Sequence, residues 1–317
     1  MRKLMLNILT AVALVAMTGC NHKDLCFDHT HTLNVKVVFD WRNASDANPS
    51  SMELHLYGVP DNEASRYSFS GRDGGLIHIQ GGKYNGLCFN NDNTDWALYR
   101  NISDIETFEI YTMDATMLQA YGLLSRAVPR AEGTEGERMA STPQMVWCDR
   151  QDEIDIPIDA TDKTITLYPE EAVCHYTVDI DSIQNMDYLS GSTLDATISG
   201  MAEGYRQGQK SATDTKVTMP FELVADSDKN DLHAEFLTFG ESPVTKNPHI
   251  LTVYMILSDG SKWYYTFDVS QQIYNAPDPR HVHIVIHGLK LPKPMLAGGG
   301  LQPDVNDWNT DYVDITM

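Results

Sequence analysis

Apolar and polar residues alternate in several short segments of the chain, which is the pattern of half-buried β-strands. The alternation is clearest at residues 33–39 and 52–58. Turns rich in Gly, Asn and Asp separate such segments, as at 71–75 and 90–93. Further strands are predicted at 65–70, 76–80, 96–101, 107–112 and 163–168.

A second series of strands begins after Pro169, Glu170 and Glu171. Residues 172–180 alternate, 251–257 and 263–269 face each other across a Ser-Asp-Gly-Ser turn, and 282–289 form a last strand. Many short strands with turns between them predict an all-β fold. We therefore expect two β-sandwich domains, at 33–170 and 171–317.

Two segments depart from this pattern. Residues 114–125 predict a helix capped by Asp114, with Leu118, Tyr121 and Leu124 on one face. Residues 129–141 carry few apolar side chains and predict an exposed, protease-sensitive loop.

The N-terminus predicts export and lipid attachment. Arg2 and Lys3 precede an apolar run at 4–17, and Gly19-Cys20 follows where the run ends. This order is typical of a bacterial lipoprotein signal, and the run is short for a membrane span. We expect a signal peptide at 1–19, acylation of Cys20 and a tether at 20–32, with an ordinary secretory signal as the alternative.

Charge and cysteine content narrow the classes of partner and site. The 317 residues carry a net charge of −21, which repels phosphate backbones, so nucleic acid is not expected as a partner. Five cysteines include Cys20, and the other four are either buried thiols or two disulfides in any of three pairings. Those four are Cys26, Cys88, Cys148 and Cys174. The sequence contains no CxxC pair, so a structural zinc site is not expected.

Residues that could carry chemistry give weak signals. His281, His283 and His287 share one strand face, where a solvated surface is favoured over a metal site. The acidic run 226–231 lacks the glycine and glutamate of a calcium loop and predicts a solvated turn, as do Asp92 and Asp95. The sequence contains no GxSxG, HExxH, SxxK or phosphate-binding glycine loop. We therefore expect neither an enzyme nor a cofactor nor a metal.

Aromatic residues support an alternative function. Exposed Trp and Tyr side chains can stack on sugars, and Trp263, Tyr264 and Tyr265 lie together in the hairpin. Most of the aromatics are expected in the core. A lipid-anchored glycan-binding protein of a nutrient-uptake system is the alternative, and an exposed row of Trp or Tyr would favour it.

Several diffuse patterns together resemble the FimB-like fimbrial anchor and accessory lipoproteins of Bacteroidales, which are associated with type V pili. The resemblance rests on Cys20 with 24–26, on 35–41 and 54–58, and on 263–269, Gly288-Leu289 and 305–308. It implies two tandem transthyretin-like β-sandwiches that bind fimbrial or pilus subunits by β-strand addition in cell adhesion. It also implies attachment to the outer membrane through Cys20, with the protein facing outward.

Two features bear on the role within that family. Stalk subunits there lose an N-terminal segment by cleavage at arginine, but cleavage after Arg42 would remove the strand at 33–39, which favours an anchor or accessory subunit. Gly298-Gly299-Gly300 precedes a C-terminal segment whose residues 312–315 alternate. We interpret that segment as a terminal strand, either donated to a partner or paired within its own chain.

Overall fold

The computed structural model describes residues 32–92, 95–117, 128–158, 162–244, 248–294 and 308–310, and strands dominate these residues. Ten strands precede residue 170: β1 (Thr32–Phe39), β2 (Ser51–Gly58), β3 (Ala64–Ser70), β4 (Gly75–Gln80), β5 (Gly82–Asn90), β6 (Ala97–Arg100), β7 (Glu109–Thr112), β8 (Arg138–Met139), β9 (Trp147–Ile156) and β10 (Lys163–Leu167).

The remaining strands continue the same short pattern. They are β11 (Glu170–Glu171), β12 (Cys174–Asp181), β13 (Thr193–Ala202), β14 (Gly204–Arg206), β15 (Ser211–Ala212), β16 (Lys216–Asp226), β17 (Asp231–Thr238), β18 (Ile250–Ile256), β19 (Lys262–Asp268), β20 (His281–His287) and β21 (Trp308–Asn309). The described helical elements are α1 (Ser270–Tyr274) and the 3₁₀ turns Trp41–Asn43 and Met186–Tyr188. None of the described helices has the length and apolar character needed to cross a membrane.

Two sheets from the first part of the chain form a sandwich. One has the order β10-β1-β4 and the other β11-β9-β5-β2-β3. Val35 and Val37 of β1 pack with Leu54 and Leu56 of β2 in a single core cluster. The predicted alternation at 33–39 is confirmed, since the side chains of Val35 and Val37 are almost fully buried.

The later strands form a nine-stranded sheet that folds over its own core. Its order is β20-β12-β17-β16-β13-β18-β19-β21, and β8 also pairs with β16. Only three residue pairs join β16 to β17. Val178 of β12 and Val253 of β18 nevertheless belong to one core cluster, so the sheet turns at this hairpin and closes into a second sandwich.

A four-stranded sheet links the two parts of the chain. Its order is β15-β14-β7-β6, so strands from before and after residue 170 share one ladder. A third core cluster, which includes Phe108 and Tyr205, lies against it. The all-β fold is confirmed, whereas the division at 170/171 and the tandem transthyretin-like arrangement stay predictions.

Two predicted segments differ from the structure. Asp114 forms a β-bridge with Ala140, and Ala115 donates a hydrogen bond to the Met139 carbonyl, so the predicted helix does not begin at Asp114. Residues 115–117 are not helical, and 118–127 lie outside the described residues. Pairing with the chain near β8 thus replaces the predicted helix start at Asp114 and Ala115.

The predicted exposed loop at 129–141 is confirmed only in part, since residues 132, 133, 135 and 136 are exposed but others are not. Ala131 and Thr134 are buried, and the Tyr254 hydroxyl donates to the Pro129 carbonyl. Arg138 lies in β8, where its guanidinium contacts Glu203. The segment packs across the sheet instead of projecting from it, so its arginines are poor protease sites.

Candidate functional site

The predicted attachment residue Cys20 lies outside the described residues, as do the signal peptide and most of the tether. The described chain begins with β1, which pairs in parallel with β10 and antiparallel with β4. Arg42 follows it in a 3₁₀ turn, with its side chain 64% exposed and bonded to Asp40 at 2.5 Å. A protease could reach this arginine, but the peptide released would contain the central strand of a sheet.

Ion pairs around two buried carboxylates join the strands of the four-stranded sheet that links the two parts of the chain. Arg100 of β6 donates to Glu109, and also to Glu203 at 2.8 Å. Arg206 of β14 donates to Glu109 at 3.1 Å, and Arg138 donates to Glu203 at 3.1 Å. The two glutamates are only 8% and 9% exposed. We call this group of five side chains the seam.

Close backbone contacts reinforce the seam. A Cβ atom on Gly208 would lie 1.8 Å from the Ile105 carbonyl oxygen, and one on Gly204 would lie 2.2 Å from the Ile110 carbonyl oxygen. These distances are too short for any side chain. The absence of side chains at Gly204 and Gly208 therefore lets the two parts of the chain approach this closely.

The edges of the nine-stranded sheet differ in how they are covered. At one edge, the side chain of Gln272 in α1 donates to the Val285 carbonyl at 2.9 Å and accepts from the Val285 N–H at 2.8 Å. At the other, Trp308 and Asn309 pair in parallel with Lys262 and Trp263 of β19. An amide side chain and a short strand thus satisfy backbone groups that an open edge would expose.

A third edge is open where β16 and β17 separate. The two strands pair at residues 224–226 and 231–233, and then diverge into different layers. Between them lies a cleft of about 600 Å³ whose lining includes Phe221, Phe236 and Val224. We call it the β16–β17 cleft. Sequence reasoning missed this site, because the cleft depends on where two strands part rather than on any local motif.

The histidine row occupies a solvated strand face, as predicted. His281, His283 and His287 are exposed on β20, while Val282, Ile284 and Ile286 between and beside them are buried. Each of the three imidazoles contacts a carboxylate, at distances of 2.5–2.8 Å. Within the part of the chain that the structure describes, no group of three or more His, Cys, Asp or Glu is arranged to hold a metal ion.

Asp179 joins this face to the neighbouring strand β17. Its carboxylate contacts His233 at 2.7 Å and His283 at 2.5 Å. Partial burial raises the pKa of the Asp179 carboxyl, but the hydrogen bonds to the two histidines outweigh it and leave that pKa below its usual value. The hydrogen bond to Asp179 raises the pKa of His233.

The acidic turns serve as local backbone caps. Asp226 accepts hydrogen bonds from the backbone N–H groups of Asp228 and Lys229, and it forms an ion pair with the Lys229 side chain. Asp92 accepts from the N–H and hydroxyl of Ser50. The interpretation of 226–231 as a solvated turn is confirmed.

The aromatic side chains are mostly internal. Trp41 and Trp96 are buried, and Trp147, Trp263 and Trp308 are half-buried. Among the described aromatic residues, Tyr168 alone is more than a third exposed, at 38%. The described surface therefore has no row of exposed aromatic rings that could serve as a sugar platform.

The described cysteines are free thiols, which corrects one of the two predicted alternatives. Cys88 and Cys148 are buried in different core clusters, and Cys174 is half-buried. Each of the three disulfide pairings would have joined two of these residues. Burial raises the pKa of the Cys148 thiol to about 12, so it is protonated at neutral pH. Cys26 lies outside the described residues.

Comparison with known proteins places this all-β sandwich protein in a family. A model described as a domain of unknown function, DUF5119, matches residues 19–222. The match covers well over half of the chain, and the chain therefore belongs to the DUF5119 family. No curated protein matches it.

Three solved structures are similar to this chain. A proposed adhesin from Bacteroides ovatus is 22% identical, with a TM-score of 0.63 over 87% of this chain and 98% of that one. The fimbrial anchor protein Mfa2 from Porphyromonas gingivalis is 15% identical, with a TM-score of 0.49 over 81% and 90%. The tip fimbrial protein Mfa3 from the same organism is 10% identical, with a TM-score of 0.36 over 83% and 97%. The Bacteroides ovatus structure thus shares the fold of this chain.

Proposed function

We propose that this chain is a non-enzymatic subunit of a fimbrial or adhesive assembly, held at the outer membrane by lipid on Cys20 and facing outward. Its partners are other subunits, which it engages by β-strand addition. The fold shared with a proposed adhesin supports the assembly role, and the order of Gly19 and Cys20 after the apolar run supports the lipid.

The position of β1 bears on whether the chain is a lipid-anchored subunit or one that is cleaved at Arg42. β1 lies between strands β10 and β4, and its Val35 and Val37 are almost completely buried in the core. Loss of β1 by cleavage at Arg42 would expose this core and leave both neighbouring strands unpaired. A chain that needs β1 keeps its N-terminus, and with it Cys20. This supports an anchor or accessory subunit over a stalk subunit.

Glycan binding receives no support from the described surface. A sugar platform needs exposed aromatic rings, whereas all five tryptophans are buried or half-buried. The open β16–β17 cleft instead offers apolar side chains beside strand edges, which suits an extended peptide.

The C-terminal strand remains a proposal. Trp308 and Asn309 pair with β19, and the Trp308 ring meets that of Tyr254 edge-on at 5.5 Å. Residues 312–315 lie outside the described residues. If deletion of 301–317 left both folding and partner binding intact, the interpretation of this segment as a terminal strand would fail.

Crosslinking in intact cells tests the proposed function. Wild-type protein and the Cys20→Ala variant are pulled down after crosslinking, and their partners are identified by mass spectrometry. We expect the wild type to recover pilin-like subunits and the variant to lose them, because it is no longer held at the membrane. Recovery of a porin-like transporter with glycan-binding neighbours would instead support the alternative function.

A further inference from the structure

The outer edge of β16 is paired at both ends and open between them. Val217 and Thr218 pair with β8, and residues from Val224 onward pair with β17. The intervening residues 219–223 pair with β13 on their other side, and none of the described strands pairs with them on this side. At about 3.4 Å per residue the gap is about 17 Å long, which fits a strand of four or five residues.

Alternate backbone groups of β16 point into this gap. The Thr218 carbonyl accepts a hydrogen bond from the N–H of Ala140, on the β8 side. Because residues two apart in a strand direct their N–H and C=O groups the same way, those of Pro220 and Glu222 face the gap as well. Pro220 has no N–H, so the gap presents two carbonyls and one N–H. Proline on an edge discourages indiscriminate strand pairing.

The cleft beside the gap combines an apolar base with an acidic rim. The rings of Phe221 and Phe236 stack with centroids 4.0 Å apart, and Val224 at the rim is 53% exposed. The described residues that line the cleft include Glu222, Glu235 and His233, which contacts Glu235 at 3.5 Å, and neither lysine nor arginine. This rim attracts a basic segment. A second copy of the chain, with the same net charge of −21, would be repelled.

We propose that the β16–β17 cleft binds an extended, basic segment of a partner protein. An apolar residue of that segment packs against Phe221 and Phe236, its backbone pairs with Pro220 and Glu222, and a lysine or arginine lies beside the Glu222 carboxylate. This inference rests on the proposed function, since the partner is taken to be a subunit of the same assembly. The short gap and single donor make the partner strand a short one.

Site-specific photocrosslinking in intact cells tests this inference. A benzoylphenylalanine is placed at Val224 in one full-length variant and at Leu98 in the matched control, because Leu98 is also an exposed strand residue, at 40%. Mass spectrometry then gives the sequence of the crosslinked segment. We expect the Val224 variant to crosslink another protein at least about tenfold more than the Leu98 variant, through a segment that alternates apolar residues with lysine or arginine.

Other crosslinking outcomes overturn the proposal. Equal yields from the two positions would show that the cleft has no occupant. Crosslinks from Val224 to residues 295–317 of the same chain would make the cleft a site for its own C-terminus, and crosslinks to a second copy would make it a dimer interface. A Glu222→Lys change in the Val224-labelled chain should reduce the yield about tenfold, and an unchanged yield would remove the basic segment from the proposal.

The two proposals fail separately. Recovery of pilin-like subunits that depends on Cys20, with no crosslink from Val224, would leave the proposed function standing and place its contacts elsewhere. Crosslinking of a basic segment from a non-fimbrial protein at Val224 would do the reverse, since it would confirm the peptide site and remove the fimbrial role.

Discussion

The seam and the β16–β17 cleft differ in how far their side chains and backbone groups are buried. In the seam, Glu109 and Glu203 are more than nine-tenths buried. Three of the four hydrogen bonds described there join the parts of the chain before and after residue 170. In the cleft, Val224 is half exposed and the backbone of Glu222 faces open space. The seam buries its carboxylates beneath partly exposed arginines, whereas the cleft is open along one strand.

This difference predicts different consequences for substitution. A buried charge that loses its partner is strongly destabilising, because it remains desolvated without compensation. Substitution of an exposed residue beside a gap removes few contacts when no partner is bound, so it changes stability little. Changes in the seam should therefore reduce stability, and changes in the cleft should reduce binding while stability stays constant.

The largest expected effect is in the seam. Glu203→Ala removes the hydrogen bonds that the guanidinium groups of Arg100 and Arg138 donate to this carboxylate. Because both guanidinium groups are partly exposed, the change should lower the free energy of unfolding by about 2–3 kcal/mol. Urea denaturation measures the change. Glu222→Ala is the control, because it removes an exposed carboxylate and should cost less than about 0.5 kcal/mol. Equal losses in the two variants would contradict the comparison.

Close backbone packing beside the seam should give the second-largest effect on stability. Gly208→Ala places a Cβ atom against the Ile105 carbonyl and should cost about 1–3 kcal/mol as the two parts of the chain are forced apart. Gly136→Ala is the matched control, since nothing lies within 4 Å of its added Cβ atom. Thermal unfolding of the two variants should separate clearly, and a Gly208→Ala variant as stable as Gly136→Ala would show that the contact relaxes without cost.

Substitution of Gln272, whose amide covers the β20 edge, should have an intermediate effect on the free energy of unfolding. Gln272→Ala removes two hydrogen bonds to the backbone of Val285, at a cost of about 1–2 kcal/mol. Gln271→Ala, in the same helix, removes an exposed hydrogen bond to Asn275 and should be nearly neutral. Hydrogen exchange at Val285 should accelerate in the first variant alone. Unchanged exchange there would show that the side chain does not protect this edge.

The smallest expected effect is a pH dependence of stability that comes from the pair of His233 and Asp179. The raised pKa of His233 stabilises the fold below about pH 6.5, and this contribution is lost as the pH rises through the folded-state pKa. The lowered pKa of Asp179 stabilises it above about pH 4 and is lost as the pH falls. Their pairing therefore helps most between these values, by less than about 1 kcal/mol because both side chains are over a third exposed.

His233→Gln tests this window. The variant should lose stability relative to wild type at pH 5.5 and little at pH 8. His78→Gln, which removes another exposed histidine, is the matched control. Urea denaturation at the two pH values provides the measurement. A larger loss at pH 8 than at pH 5.5 would contradict the assigned direction of the His233 pKa.

Local sequence patterns predicted the strands that bury one face. The alternation in β1 and β20 is read directly from the sequence, because each has a core side and a solvent side. The prediction of a half-buried strand was wrong for β2, since His55 and Tyr57 on its second face are buried as well. The same reasoning missed β13, whose residues are buried almost throughout, and β9, whose charged residues obscure the pattern.

Features set by tertiary contacts could not be predicted in this way. The segment at 129–141 has few apolar residues, yet Ala131 is buried because the chain packs across the sheet. Cys88 and Cys148 are on neighbouring strands but in different core clusters, so proximity did not make a disulfide. The seam and the cleft depend on which distant strands pair and where pairing stops. Neither leaves a local signal.

Partner recovery from intact cells tests the comparison of seam and cleft most directly. Val224→Asp and Leu98→Asp are compared with wild type after crosslinking and pull-down, with the free energy of unfolding of each variant measured in parallel. We predict that Val224→Asp loses pilin-like subunits by at least about tenfold while remaining as stable as wild type, and that Leu98→Asp recovers them in full. Full recovery by a stable Val224→Asp variant would contradict the assignment of the cleft as the binding edge.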